Sequence, residues 1–325
     1  MALIETSHTS IADNSSNNVQ VQQEQQEQGN LGSIPVVHVK DVYKSFDYKN
    51  NKNNSSSITT TYHLRGQQKQ QQQQQLNSTR SLTVSSSHEV LNGVDLKIKE
   101  GEFVTIVGSS GCGKSTLLNI IAGLDRPDSG SVLIRGHLAN SDRSSTKRIM
   151  IFQEGALFPW LNVQDNVEFG LKIAKMPKQM SRRVANKYIE MVGLSKFSDS
   201  FPYQLSGGMK QRVTIARALV MEPEVLLMDE PFAALDVQTR DLLHEELVGI
   251  HKTTGKTILF VTHNINEAIL LGDRIIVLSS VLKDIKKEFL IEITRPRDPE
   301  SPELYEIKKQ ILREFEGDLQ IAKRR

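Results

Sequence analysis

From Glu89 onward the apolar residues fall into short runs whose spacing keeps changing. Residues 90–98 alternate apolar and polar, which predicts a strand with one buried face, and Gly101 supplies the turn after it. Residues 103–107 are almost continuously apolar and rich in β-formers, as in a strand buried on both sides. Residues 114–123 then follow a helical period. Strands are predicted at 131–135 and 148–152, and three helices at 163–174, 182–192 and 207–220. The alternation then resumes: strand 225–228, helix 237–252, strand 257–261, helix 265–271 and strand 274–279. Strands alternating with helices predict an α/β fold with a mainly parallel sheet. The helical block at about 154–212 interrupts that order, so it is expected to be an inserted subdomain. Residues 296–325 hold a last helix, with Ser301 as N-cap and Pro302 in the first helical position. Leu304, Ile307, Ile311 and Phe315 fall on one face of it, so it should pack rather than trail.

Upstream the apolar signal weakens. Residues 1–32 are rich in Ser, Asn, Gln and Glu and are expected to be disordered, because they cannot bury enough apolar surface to offset ordering entropy. A strand at 35–43 follows, and then a low-complexity stretch at 47–87 with a glutamine run at 70–75. It reads as a neutral expansion of a surface loop, with a regulatory or partner-binding segment as the alternative. These two stretches account for the modest 38% hydrophobic content. The formal net charge of +2 points to neither nucleic acid nor an anionic membrane. The one cysteine, Cys112, forbids an internal disulfide and suits a reducing compartment. No apolar run approaches the ~18 residues of a membrane span, and residues 1–39 contain no Lys or Arg to build a targeting signal. The expectation is a chain on the cytoplasmic face of a membrane or in the cytosol.

The most informative segment is Gly108-Ser109-Ser110-Gly111-Cys112-Gly113-Lys114-Ser115, which leaves a buried strand and opens a helix. This is the phosphate-binding loop pattern. Its glycines let backbone N–H groups approach phosphate, and the helix start adds positive dipole character. Lys114 is expected at the β- and γ-phosphates, Ser115 on Mg²⁺, and Thr116 in the backbone cradle. Cys112 reads as a small filler rather than a nucleophile, with no His or acid beside it. A second apolar strand ends in Asp229 and Glu230. Phosphoryl transfer uses one acid at the metal and another to orient or deprotonate water, which suits Asp229 and Glu230 in that order. A helix-capping turn would be the bland reading of the same two acids.

Leu205-Ser206-Gly207-Gly208-Met209-Lys210-Gln211-Arg212 lies just before that acidic strand. Here the chain resembles the nucleotide-binding subunits of ATP-binding cassette (ABC) transporters, over about 34–46 and 88–315. The resemblance implies a P-loop ATPase domain at 33–295, with a mainly parallel core, an antiparallel β subdomain and an inserted α-helical subdomain. It implies ATP and Mg²⁺ as cofactors. Ser206, Gly207 and Gly208 would cap the γ-phosphate of ATP held by the opposite subunit; alone, Ser206 reads as a helix N-cap. Gln153 matches the glutamine that contacts Mg²⁺ and the attacking water, His263 the switch histidine at the γ-phosphate, and Asp236 a dimer-coupling residue. Phe46 stands where the family stacks an aromatic on adenine, with Tyr43 or Tyr48 as alternatives. Two departures, Ala233-Ala234 in the loop before Asp236 and Asn264 after the switch histidine, do not touch the chemistry.

The stretch 153–161 and Arg295-Pro296-Arg297-Asp298 look like the branch that imports nitrate, sulfonates such as taurine, and related small anions. In that branch the region of Phe158, Pro159, Trp160 and Leu161 would face the membrane partner, although Trp160 reads first as core of the helical subdomain. The implied partners are a second copy or a homologous ABC subunit and a separate transmembrane permease, with no nucleic acid. The competing readings are a soluble ABC ATPase acting on a macromolecular complex and a nucleotide sensor without turnover. A GTPase is disfavoured, because no Asn-Lys-x-Asp motif occurs.

Overall fold

The computed structural model describes residues 34–48, 86–139, 148–153 and 157–324. The polar N-terminus and nearly all of the 47–87 stretch, glutamine run included, lie outside the described residues.

Two strands open the fold. β1 (Val37–Tyr48) pairs antiparallel with β2 (Ser86–Ile98), from Val37 opposite Ile98 to Tyr48 opposite Ser86. Alternation drives the pairing, since Val37, Val39, Val94, Leu96 and Ile98 are all buried. β3 (Phe103–Val107) is buried throughout and feeds α1 (Lys114–Ala122), which Gly123 ends in the left-handed conformation. β4 (Ser129–Ile134) and β5 (His137–Leu138) complete an antiparallel sheet in the order β2-β1-β4-β5. Gly130 makes this possible: a Cβ there would lie 1.9 Å from the Asp41 carbonyl oxygen.

β6 (Arg148–Ile151) leads into three helices, α2 (Val163–Ile173), α3 (Lys178–Met191) and α4 (Gly207–Leu219). They pack on one another through Val167, Leu171, Ala185, Ile189 and Val213, as the expected helical insertion should. Then come β7 (Val225–Asp229), α5 (Val237–Thr254), β8 (Thr257–Thr262), α6 (Ile265–Leu271), β9 (Arg274–Leu278), β10 (Ile285–Leu290) and α7 (Pro302–Arg324). The second sheet has the order β10-β9-β3-β8-β7-β6 and is parallel except for β10. Its pleat sends alternate residues into two cores. Phe103, Leu226, Met228 and Phe260 face the helical insertion, whereas Val104, Ile106, Val225 and Leu227 face α1 and the antiparallel sheet.

Several elements depart from the prediction by a few residues, and one strand, β10, was not predicted. β1 runs on past Tyr43 to Tyr48, because the hairpin with β2 continues there, although Lys44 and Ser45 are only half-buried and Phe46 is exposed. α3 starts at Lys178, directly after Pro177, instead of at Arg182. The antiparallel β10 carries Lys286, Lys287 and Glu288 and buries little besides Phe289, so its hydrophobic period is too weak to read. α7 packs as expected, with Leu304 and Ile311 buried against Phe289 and Ile291. The Arg297 guanidinium ties this segment down. It donates to the carbonyls of Ile269 and Gly272 at 2.6 Å, where α6 leaves carbonyls unpaired. Burial pushes its pKa down to about 10.

Candidate active site

The loop between β3 and α1 is shaped by what its glycines lack. A Cβ on Gly108 would stand 2.5 Å from the Cys112 Sγ and 2.7 Å from the Leu278 carbonyl. Gly113 has φ 104°, and its Cβ would meet the Val90 carbonyl of β2 at 2.9 Å. The loop therefore lies directly on β2 and β9. No side chain caps the start of α1, so the first-turn N–H groups are open to an anion. Lys114 is buried, and its ammonium donates to the carbonyls of Gly108 and Ser109 at 2.9 and 3.1 Å. Cys112 is buried, and burial pushes its thiol above the ordinary value, which suits an inert filler.

Ser115 donates from Oγ to the Asp229 Oδ1 at 3.1 Å, bringing the start of α1 to the end of β7. Burial holds the Asp229 carboxyl above its usual range; the Ser115 hydroxyl opposes that shift and the Glu230 charge adds to it. Glu230 follows with φ 45°, a left-handed conformation uncommon outside glycine. Its N–H donates to the Val261 carbonyl at 2.9 Å, and its Oε2 lies 2.9 Å from His263 Nδ1. The ends of adjacent strands β7 and β8 thus present a carboxylate and an imidazole as a pair.

A cleft of about 500 Å³ runs from Phe46, His88 and Val90, past residues 113–116, to Glu230 and His263. Phe46 is 44% exposed there, with the Lys44 ammonium 5.1 Å from its ring centroid. Lys44 is itself held by Asp125 at 3.0 Å and the Arg126 carbonyl at 2.8 Å. Tyr43 does not line the cleft; its hydroxyl is drawn to Asp41, which raises its pKa. The side chain of Tyr48 lies outside the described residues. His88 is a cleft residue that sequence reasoning missed. It stands opposite Phe46 in the register of β1 and β2, and only that register brings it to the cleft.

Three expected site regions, the Ser206-Gly207-Gly208 turn, Asp236 and Gln153, do not line this cleft. Ser206 caps α4, its Oγ accepting from the Met209 N–H at 3.3 Å. Gly207 and Gly208 follow, and a Cβ on Gly208 would stand 2.5 Å from Thr239 Cγ2 in the first turn of α5. Asp236 caps α5 through the Thr239 N–H at 2.9 Å, which draws its carboxyl below the usual range. The Ser-Gly-Gly turn and the Asp236 loop therefore share one exposed face. Gln153 is exposed just past the end of β6, the strand beside β7. Residues 154–156 lie outside the described residues.

Trp160 corrects an expectation. It is 70% exposed, not core. The loop around it is nonetheless rigidly tied. The buried Asn166 accepts from the Phe158 N–H at 2.9 Å and donates to the carbonyls of Phe158 and Leu161 at 3.1 and 2.9 Å. Phe158 packs inward on Phe169, ring centroids 4.3 Å apart, so Trp160 is left as the outward residue.

With this geometry in hand, comparison with known proteins is specific. The ABC transporter family model matches residues 91–233. An uncharacterized ABC transporter ATP-binding protein of Methanocaldococcus jannaschii is 49% identical over 69% of this chain and 83% of its own length. A nitrate import ATP-binding protein of Synechocystis is 46% identical over 68% of this chain and 82% of its own. An aliphatic sulfonates import ATP-binding protein of Bacillus cereus is 44% identical over 70% and 89%. Among solved structures, a dimeric bacterial ABC transporter cassette matches with TM-score 0.60 and 33% identity, covering 79% of this chain and all of that one. A post-hydrolysis state of the same cassette, bound to ADP and Pi, matches with TM-score 0.60 and 34% identity.

Proposed function

Since the chain belongs to the ABC transporter ATP-binding family and hydrolyses ATP, we propose that it energises import of a small anion such as nitrate, a sulfonate or taurine through a separate membrane subunit. The observation that carries this reading is the outward Trp160 on a loop fixed by Asn166. A large exposed aromatic on a rigid support suits a docking contact better than a surface of a lone soluble protein. Among the described residues no helix is long and apolar enough to cross a membrane, so the pathway for the anion would come from another chain. The relatives named for nitrate and sulfonate import supply the substrate class.

At the site, ATP would lie in the cleft with its base toward Phe46 and its phosphates over residues 111–116. The Lys114 ammonium would exchange its two loop carbonyls for phosphate oxygens. Ser115 and Asp229 fit Mg²⁺: they are hard oxygen ligands within 3.1 Å of each other, and the carboxylate pays a burial cost that a cation relieves. Gln153, just past the end of β6, would complete the set. When bound, the cation would neutralise charge gathering on the phosphate oxygens. Glu230 would take a proton from water as its oxygen attacks the γ-phosphorus, and ADP leaves with the former bridging oxygen. His263, hydrogen-bonded to Glu230, would hold that carboxylate and contact the γ-phosphate. Ser206, Gly207 and Gly208 are absent from the cleft, which fits a head-to-tail dimer in which each chain completes the other's site.

Purification from gently solubilised membranes tests the proposal. A stoichiometric multi-span membrane protein is expected with the chain. Recovery from cytosol with ribosomes or an assembly complex instead would move the function to a soluble ABC ATPase.

A further inference from the structure

Behind His263 lies a buried polar chain that the catalytic account above does not use. Thr262, the residue before His263, accepts a hydrogen bond on its hydroxyl from the Asn264 N–H at 3.0 Å. The same hydroxyl donates to Glu267 Oε2. Glu267 is 5% exposed in the first turn of α6, and its other oxygen lies 2.8 Å from His244 Nε2 on α5. His244 is buried, edge-on to Phe232 with ring centroids 5.5 Å apart. With a carboxylate as its partner, Nε2 must carry the proton. The other nitrogen, Nδ1, is buried and makes no hydrogen bond; Asp241 is 3.9 Å away.

One turn before His244, Arg240 donates to the carbonyls of Phe232 and Leu235, at 3.4 and 2.7 Å. It thereby fixes the loop that leads to Asp236. Arg240, Thr262 and Glu267 wall a cavity of about 30 Å³ that also touches Glu230, Ala233 and His263. That space is large enough to admit water. Burying a carboxylate is costly unless its oxygens are satisfied, so a bare Glu267 is a poor core residue. Here both oxygens are used: one bond reaches Thr262 at the end of β8, directly before His263, and the other reaches His244 on α5.

We propose that Glu267, held by His244, is a positioning residue: it locks the loop carrying His263 to α5, the helix that starts at the dimer-facing Asp236. Movement of the Asp236 loop against a partner subunit then reaches His263 through α5, His244, Glu267 and Thr262. The proposal rests on the reading of His263 as the γ-phosphate contact and extends it to what sets that contact.

The test measures kcat and KM for ATP, nucleotide affinity and thermal unfolding in four variants, with His263→Ala as reference. Thr262→Val removes the hydroxyl at nearly constant shape, and Thr262→Ser restores it. His244→Leu removes the donor to Glu267, and His244→Gln replaces it. Thr262→Val and His244→Leu are expected to lower kcat by ~10–100-fold, the size of effect that a small misplacement of a catalytic group produces. ATP affinity should stay within about twofold, because the phosphate loop is untouched. Thr262→Ser and His244→Gln should recover most of the lost turnover. The His244→Leu change leaves a buried carboxylate short of a partner; should that variant not fold, Thr262→Val decides, because it keeps the His244–Glu267 bond. Full turnover in folded Thr262→Val, alongside a dead His263→Ala, would overturn the proposal and leave the catalytic reading standing. So would loss of turnover that Thr262→Ser does not restore. Full turnover in His263→Ala would overturn the reading of His263 itself, and this proposal with it.

Discussion

At the scale of single residues, the chemistry concentrates at three strand ends. Asp229 and Glu230 are consecutive yet differ in surroundings: Asp229 is tied to Ser115, and Glu230 turns through a left-handed backbone to meet His263. Glu230→Gln is expected to slow hydrolysis by ~10²–10⁴-fold while leaving ATP binding intact. Steady-state turnover beside equilibrium binding checks this, and unchanged turnover would remove Glu230 from the base role. Asp229 gives a pH prediction. Burial holds its carboxyl pKa high, so lowering the pH toward that raised value protonates it before an ordinary aspartate. A protonated carboxyl is a poor ligand, so the Mg²⁺ needed for half-maximal turnover should rise as the pH is lowered into the acid range, at a higher pH than for an ordinary aspartate, and Asp229→Asn should flatten that dependence. A Mg²⁺ requirement independent of pH in the native protein would contradict it. The phosphate loop was legible because its residues are consecutive and its glycines are dictated by steric contact, as at Gly108. His88, His244 and Glu267 were not, because their positions depend on strand register or on two helices meeting.

At the scale of elements, hydrophobic period revealed whatever buried a full face. β3, β7 and β8 are apolar and buried almost end to end, and the sequence places all three. β10 escaped because lysines and a glutamate occupy its middle. The far end of β1 escaped because its exposed residues include Phe46, a position left at the surface by the cleft it lines. Trp160 was misassigned for a related reason: bulk and apolarity alone suggest a core, whereas Asn166 and Phe158 bind the loop so that the indole faces out. Being exposed, Trp160→Ala should change folding stability by less than ~0.5 kcal/mol. It should also leave basal turnover of the isolated subunit unchanged while reducing recovery of the membrane partner. Thermal unfolding and co-purification measure the two arms, and a large stability loss would return Trp160 to a structural role.

At the scale of the whole molecule, the phosphate-loop cleft and the Ser206 turn of one chain do not meet. Phosphates would lie against α1, whereas the Ser206 turn sits at the start of α4, packed against α5 beside Asp236. Both are helix N-termini with N–H groups suited to an anion. A second chain in antiparallel register would bring one against the other, with ATP between them, and hydrolysis would release the contact. Such an arrangement would make dimerisation depend on nucleotide, and a two-state interface of that kind is what a membrane partner could follow. The mass of Glu230→Gln by light scattering, with and without saturating ATP, tests this most directly. ATP should double the mass, and adding Ser206→Arg should return it to that of one chain while ATP still binds. A mass that stays that of one chain with ATP bound, or a dimer that survives Ser206→Arg, would contradict the shared site.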